Sequence, residues 1–157
     1  MNTLAEVMGF EGFSRTPYID PLVAKNPEAH GISEENFEII KNNLSKLKLT
    51  FGYGFTSIEE DEAKVVLNMR LNKISNELMT RIPFYNKLNS DIKEMLTMMA
   101  YQMGVDGLLG FEHMLKAIEE EDWCEAYEEG KDSKWFRETP NRATAVLKPL
   151  KDNCGNF

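Results

Sequence analysis

The sequence predicts an α+β fold that is mostly helical and contains one small β region. Through most of the chain, apolar residues recur every three or four positions, which places them on one side of an α-helix. The segment from Leu49 to Phe55 instead alternates with period two, which is typical of a strand, and its two glycines indicate a bend. The predicted order is a helix, a small β region, a long helix and then a group of helices, and this order indicates the α+β class.

The chain is predicted to open with a short helix that ends at an acidic residue. Thr3 and Glu6 have the spacing of a capping box, and Gly12 is a natural stop directly after Glu11. Pro17 disfavours a helix beyond that point, so we expect irregular or extended chain to follow.

A second helix is predicted inside the β region, over about residues 33–47. Ser33 has the character of a helix cap, and the residues after it carry one apolar side. That side consists of Phe37, Ile40, Leu44 and Leu47. Since it must bury against something, the nearest partner is the small β lobe.

The longest helix is predicted to begin at a second capping box, Ser57 with Glu60, and to end before Pro83. Ser90 is the predicted cap of the next helix, and Gly104 its predicted end. The apolar sides of these two helices indicate core packing. They consist of Leu67, Leu71, Ile74 and Leu78 in the first helix and of Ile92, Met95, Met99 and Met103 in the second. The second helix also carries a methionine cluster, Met95, Met98, Met99 and Met103, for which core packing is expected over a binding surface.

Shorter helices are predicted for the rest of the chain. One lies around residues 111–118 and one around 123–128, where an acidic run surrounds Trp123 and Tyr127. The last begins at "TPNRA", with Thr139 as its cap and Pro140 in its first turn. The resulting domain prediction is a single domain, 1–157, made of a β lobe (13–57), a connecting helix (58–81) and a helical lobe (1–12 and 84–157).

Composition and charge exclude several classes of protein. The net charge of −8 argues against a nucleic-acid partner, because phosphate binding needs a basic surface. No apolar run approaches the roughly 20 residues that span a bilayer, and "MNTLAEVMGFEGF" lacks the basic start of a secretory signal. Cys124 and Cys154 have no metal-ligand spacing, so we expect two free thiols in a reducing cytoplasm.

Five short motifs follow one another along the chain. They are Glu11–Gly12, "YID" ending at Asp20, "LTFGYG" over 49–54, "AYQMGVDGLLGF" and "SKWFRETPNRA". In the same order they resemble the Glu-Gly, Tyr-x-Asp, Thr-x-Gly-x-Gly, Phe-Gln-Met-Gly and Trp-Tyr…Thr-Pro-Asn-Arg-Ala motifs of the phage-type lysozymes, the T-even bacteriophage lysozyme family. The resemblance implies a lysozyme-like fold, in which the long helix joins a small β lobe to a helical lobe.

The resemblance also implies a catalytic set. Glu11 would be the general acid that protonates the glycosidic oxygen, while Asp20 and Thr50 would hold and polarise the attacking water on the opposite face of the sugar. Two carboxyl groups far enough apart to admit a water give inversion at the anomeric carbon. Each residue also has an ordinary interpretation, since Glu11 could be a solvated helix end, Asp20 part of a turn and Thr50 a strand residue.

Other positions match binding residues of the family. Tyr101, Gln102 and the backbone near Gly54 would line the saccharide cleft. Arg142 would approach Glu11, and because an adjacent cation favours the ionised carboxylate, we assign Arg142 to positioning rather than to proton transfer. His30 and His113 have no partners at the spacing of a metal site or a catalytic triad.

The sequence departs from the family pattern in three ways. Pro21–Leu49 is an insertion where the family has a short turn, and we expect it to enlarge the β lobe's core; the alternative is that it walls the cleft and contacts glycan or stem peptide. Phe55 stands where the family has His. The acidic net charge contrasts with the basic character usual in the family and should weaken adsorption to an anionic cell wall.

The function implied is that of an endolysin muramidase. It would hydrolyse the β-1,4 bond between N-acetylmuramic acid and N-acetylglucosamine in peptidoglycan, with inversion and without metal or cofactor. It would act as a monomer on the glycan strand and wait in the host cytoplasm for a holin-type lesion to release it to the periplasm and cell wall. The alternatives are a lytic transglycosylase, which needs no positioned water, and a non-catalytic wall-binding or virion structural domain.

Overall fold

The computed structural model describes residues 3–11, 13–14, 24–30, 32–43 and 57–155. Within these residues the regular structure consists of α-helices and of 3-10 turns at Glu28–His30 and Tyr85–Lys87. The helices are α1 (Thr3–Glu11), α2 (Glu34–Asn43), α3 (Glu60–Arg81), α4 (Ser90–Leu109), α5 (Glu112–Glu119), α6 (Trp123–Lys131), α7 (Lys134–Glu138), α8 (Pro140–Val146) and α9 (Lys148–Asn153).

The predicted α+β class with a β lobe is wrong. All regular structure in the described ranges is helical, and none of those ranges contains a strand. Even within 13–57, the described regular structure is helical: residues 24–25, the 3-10 turn Glu28–His30 and α2. The strand prediction depended on one short alternating segment, Leu49–Phe55, which lies outside the described residues. A single run of that length is weak support for a sheet beside helical periodicity that extends through most of the chain.

The described residues group into two compact units. One comprises those within Met1–Glu11 and Lys64–Phe157, and the other those within Gly12–Ala63. This grouping does not test the β lobe, connecting helix and helical lobe proposed from the sequence, so their boundaries stay a prediction. In the second unit, Phe37 of α2 is buried as expected, whereas Ile40 is 37% exposed. Leu44 and Leu47, the rest of the predicted apolar side, lie outside the described residues.

Helix α4 runs through the core of the first unit. Met95, Met98 and Met99 are completely buried, and Met103 packs against the same core with partial exposure. Methionine is flexible enough to fill the irregular space where several helices meet. Leu71 and Leu78 of α3 are buried in this core, with Leu67 and Ile74 packed at its edge. The predicted core sides of both helices are therefore confirmed.

The ends of the helices follow the sequence signals in part. The Ser33 hydroxyl accepts a hydrogen bond from the Asn36 N–H (3.3 Å), as a cap of α2 should, and Pro140 stands in the first turn of α8. The cap of α4 is Asn89 rather than Ser90, because the Asn89 side chain accepts from the Ile92 N–H at 2.9 Å. At Gly104 the backbone is non-helical, so one helical stretch of α4 does end there as predicted, and a second stretch continues to Leu109 after the kink.

The two cysteines form a disulfide, so the expectation of two free thiols is wrong. Cys124 lies in the first turn of α6, and Cys154 lies directly after α9. These two helices pack against each other, and the Cα atoms of the two cysteines are 4.6 Å apart. The cysteines are 30 positions apart in sequence, and that spacing alone does not reveal that the chain returns from α9 to α6.

None of the described helices is long and apolar enough to cross a bilayer.

Candidate functional site

The C-terminal end of α1 is joined to α8 by Arg142. The Arg142 Nη2 atom donates a hydrogen bond to the carbonyl oxygen of Phe10 at 3.2 Å, and its guanidinium carbon lies 5.4 Å from the centroid of the Phe10 ring. The last carbonyls of a helix have no partner inside the helix and carry partial negative charge, so a cation there is stabilising. Arg142 thus contacts the residue that directly precedes Glu11.

Helix α8 places Arg142 at this position through its sequence. Pro140 occupies the first turn, where its missing N–H leaves no helical hydrogen bond unmade. Ala143 and Val146 are completely buried and fix one side of α8 against the core. Arg142 precedes Ala143 and is half-buried at the edge of that side, from where it reaches the end of α1.

A second contact joins α4 to α7. The indole Nε1–H of Trp135 donates to the amide oxygen Oε1 of Gln102 at 2.9 Å, and both side chains are half-buried. The ring of Phe111, the residue before α5, meets the Trp135 ring edge to face with centroids 6.4 Å apart. Ser133 caps α7 by accepting from the Phe136 N–H at 3.0 Å, which fixes the short helix that carries Trp135.

The backbone changes course two residues after Gln102. Gly104 has φ +79° and ψ 160°, a conformation that residues with a side chain rarely adopt. No described residue beyond its neighbours in the helix lies within 4 Å of the position that a Cβ atom would take, so among these residues the constraint on Gly104 comes from its backbone conformation. Tyr101, next to Gln102, is half-buried and packs against the core.

Three acidic residues lie where α1 packs against α4. Glu6 on α1 is half-buried, and burial raises its pKa above the usual value, with Glu94 and Asp91 of α4 adding to the effect through repulsion. Among the described residues, no three His, Cys, Asp or Glu side chains are grouped so that they could hold a metal ion. Glu94 and Asp91 repel a charged Glu6 where α1 packs against α4.

Of the predicted site residues, the structure describes the side chains of three. Arg142 lies at the end of α1, Gln102 contacts Trp135, and Tyr101 lies beside Gln102 at the edge of the core. Glu11 is the last residue of α1, but its side chain lies outside the described part. Asp20, Thr50 and Gly54 lie entirely outside it. The geometry of the catalytic set therefore stays a prediction.

Two residues that contact the predicted site residues were not predicted from the sequence. Trp135 lies inside the "SKWFRETPNRA" motif, but only the return of α7 towards α4 shows that its indole reaches Gln102. Phe10 directly precedes Glu11, and its part in holding Arg142 depends on a contact between residues 132 positions apart. Sequence spacing signals neither contact.

Comparison with curated proteins found relatives over about half of the chain. "Probable T4-type lysozyme 1" of Dictyostelium discoideum is 39% identical over 82 residues, which are 52% of this chain and 47% of the relative. "Probable T4-type lysozyme 2" of the same organism is 39% identical over 80 residues, 51% of this chain and 46% of the relative. The chain thus spans about half the length of these relatives.

A phage protein matches as well. The pre-baseplate central spike protein Gp5 of Enterobacteria phage T4 is 33% identical over 93 residues, which are 57% of this chain and 16% of that protein. No protein-family model matches the chain.

Proposed function

We propose that this chain, whose resemblance to the phage-type lysozymes is confirmed by its T4-type lysozyme relatives, is a glycoside hydrolase that cleaves peptidoglycan. The observation that carries the proposal is the contact between Arg142 and Phe10. It joins the "TPNRA" motif near the end of the chain to Phe10, the residue directly before the Glu11–Gly12 motif, across 132 positions. Two of the five lysozyme-like motifs are thus neighbours in the fold.

The proposed reaction is hydrolysis of the β-1,4 bond between N-acetylmuramic acid and N-acetylglucosamine. Glu11 donates a proton to the glycosidic oxygen, and Asp20 with Thr50 orients the water that attacks the anomeric carbon, so that the configuration is inverted. These three roles follow from the motif resemblance. A general acid must hold its proton at the working pH, and a nearby cation opposes this, so the part proposed for Arg142 is to hold the end of α1.

The proposed ligand is a glycan strand, bound in part by Tyr101, Gln102 and the backbone near Gly54. The reaction needs no metal or cofactor, because two carboxyl groups supply both the acid and the water-activating base. We place the protein in the host cytoplasm as a monomer until a holin-type lesion releases it to the cell wall, where it lyses the host.

The match to a phage spike protein favours a virion component as the setting of a second candidate. In this candidate the domain binds the cell wall without cleaving it. A pair of matched substitutions on one helix separates this candidate from the enzyme. Glu11→Gln removes the proposed acid, whereas Glu6→Gln makes the same chemical change on the same helix outside the proposed catalytic set. Purified peptidoglycan should be cleared by wild type and by Glu6→Gln, and left intact by Glu11→Gln.

Two other outcomes would count against the enzyme as described. A folded wild-type protein that binds peptidoglycan without clearing it would support the non-catalytic domain. Clearance by Glu11→Gln at the wild-type rate would contradict the assignment of the acid.

A further inference from the structure

The amide of Gln102 has one orientation because of its partner. An indole N–H can only donate a hydrogen bond, so the group that faces Trp135 at 2.9 Å must be the amide oxygen and not the amide nitrogen. The Gln102 NH₂ group, with its two donors, must then point away from the indole. Within the described part of the chain, the bond from Trp135 is the one hydrogen bond of the Gln102 side chain.

Trp135 is itself held on several sides. The Phe111 ring packs against it at an interplanar angle of 79°, and the Trp135 carbonyl accepts from both the backbone N–H and the hydroxyl of Thr139, at 3.0 and 2.9 Å. The bonds from Thr139 hold the Trp135 backbone, and the Phe111 ring packs against the indole itself. The indole offers one N–H, whereas the amide can present either its oxygen or its nitrogen, so the amide is the group that turns to suit its partner. The Trp135 ring thereby sets which edge of Gln102 is left for a ligand.

We propose that Trp135 is a positioning residue that makes Gln102 present hydrogen-bond donors to a carbonyl oxygen of the peptidoglycan strand. The inference rests on the proposed function, in which Gln102 contacts the strand. A donor edge selects groups that can accept, and peptidoglycan offers such carbonyls in its N-acetyl groups and in its stem peptides. With Trp135 absent, the amide can present either edge, and part of the population faces the ligand with its oxygen.

The test compares the same substitution at the two tryptophans. Trp135→Phe removes the donor to Gln102, whereas Trp123→Phe removes an indole that packs against the core and makes no described hydrogen bond to Gln102. On solubilised peptidoglycan, Trp135→Phe should raise KM about three- to tenfold, the range that a net hydrogen bond supplies. kcat per folded protein should stay within about twofold, because the reacting groups are unchanged. Equal KM values for the two variants would overturn the inference.

A double-substitution cycle separates positioning from general damage to the fold. In a Gln102→Ala background no amide is left to orient, so adding Trp135→Phe should raise KM no further. Effects that multiply would show that Trp135 acts independently of Gln102 and would overturn the inference. Gln102→Glu keeps an acceptor for the indole but offers the ligand an acceptor as well, and it should raise KM at least about tenfold.

Modified substrates identify the carbonyl. Glycan strands stripped of their stem peptides by an amidase test the peptide carbonyls, and de-N-acetylated peptidoglycan tests the acetamido groups. The substrate on which Gln102→Ala and wild type become equal lacks the carbonyl that Gln102 recognises. A difference that persists on both substrates would overturn the donor role.

A binding measurement separates failure of this inference from failure of the proposed function. With two tryptophans in the chain, two indole N–H signals are expected in a nitrogen–proton correlation spectrum, and the two Phe variants assign them. A disaccharide peptide without the scissile bond should shift the Trp135 signal and leave that of Trp123 in place. This shift without clearance of peptidoglycan would support the positioning role of Trp135 and contradict the hydrolase. Clearance with no shift would support the hydrolase and contradict the positioning role.

Discussion

Replacing Cys124 and Cys154 together by serine is expected to lower the thermal stability of the chain substantially. The disulfide joins positions 30 apart, and the loop it closes contains α7, α8 and α9 completely, with all of α6 except its first residue. Cross-linking a loop of that size removes chain entropy from the unfolded state worth about 3.5–4 kcal/mol at 25 °C. For a domain of this size, that free energy corresponds to a fall in Tm of about 7–15 °C.

The assay is thermal unfolding followed by circular dichroism, with and without reductant. Reductant should lower the Tm of wild type to that of the double serine variant and leave the variant itself unchanged. Thiol titration in denaturant should find no free thiol in the oxidised protein and two after reduction. Two free thiols in the air-oxidised protein, with a Tm that ignores reductant, would refute the disulfide and the stability assigned to it.

Three further predictions concern α1, α4 and α8. Gly104→Ala should destabilise the chain by about 1–3 kcal/mol in denaturant unfolding, because Gly104 holds a backbone conformation that is nearly exclusive to glycine. Gly9→Ala, at a helical position that no described residue crowds, should instead stabilise the chain by about 0.5–1 kcal/mol. Equal effects of the two substitutions would contradict the constraint at Gly104. Glu6→Gln should raise Tm at neutral pH, because a carboxyl whose folded pKa is raised stabilises the fold while protonated and loses that contribution as pH rises through the folded pKa. The gain in Tm should vanish in acid, where Glu6 is protonated. A gain that is largest in acid would show that the pKa of Glu6 is shifted in the opposite direction. Arg142→Ala should cost about 1 kcal/mol by removing a cation from the end of α1 and from the Phe10 ring; it should also slow clearance per folded protein, and an unchanged rate would contradict the positioning role.

The helices of the first unit could be predicted from the sequence because their signals are local. The leucines of α3 and the methionines of α4 recur at helical spacing, and the side they define is the side that is buried. The start of α4 shows the limit of such signals. Asn89 and Ser90 are both good caps, and only the hydrogen bond to the Ile92 N–H shows which one acts.

Contacts between distant positions could not be predicted in the same way. The disulfide and the bond from Trp135 to Gln102 join residues 30 and 33 positions apart, and both depend on how the short C-terminal helices return to the core. The β lobe was predicted from one alternating segment without a second strand to pair with it, and a strand needs such a partner to be stable. The motif resemblance predicted that Arg142 approaches Glu11, and the structure shows Arg142 at the carbonyl of Phe10, the residue before it. Sequence spacing alone carries no signal for this contact.

The measurement that tests the central claim most directly is mass analysis of the products released from purified peptidoglycan. Hydrolysis adds water across the β-1,4 bond and leaves a reducing N-acetylmuramic acid, and with inversion the α-anomer forms first. Wild type should release these products from peptidoglycan, and Glu11→Gln should release none. Products that end in 1,6-anhydromuramic acid, lighter by one water, would contradict the hydrolase and show that the muramic 6-hydroxyl replaces water in the reaction.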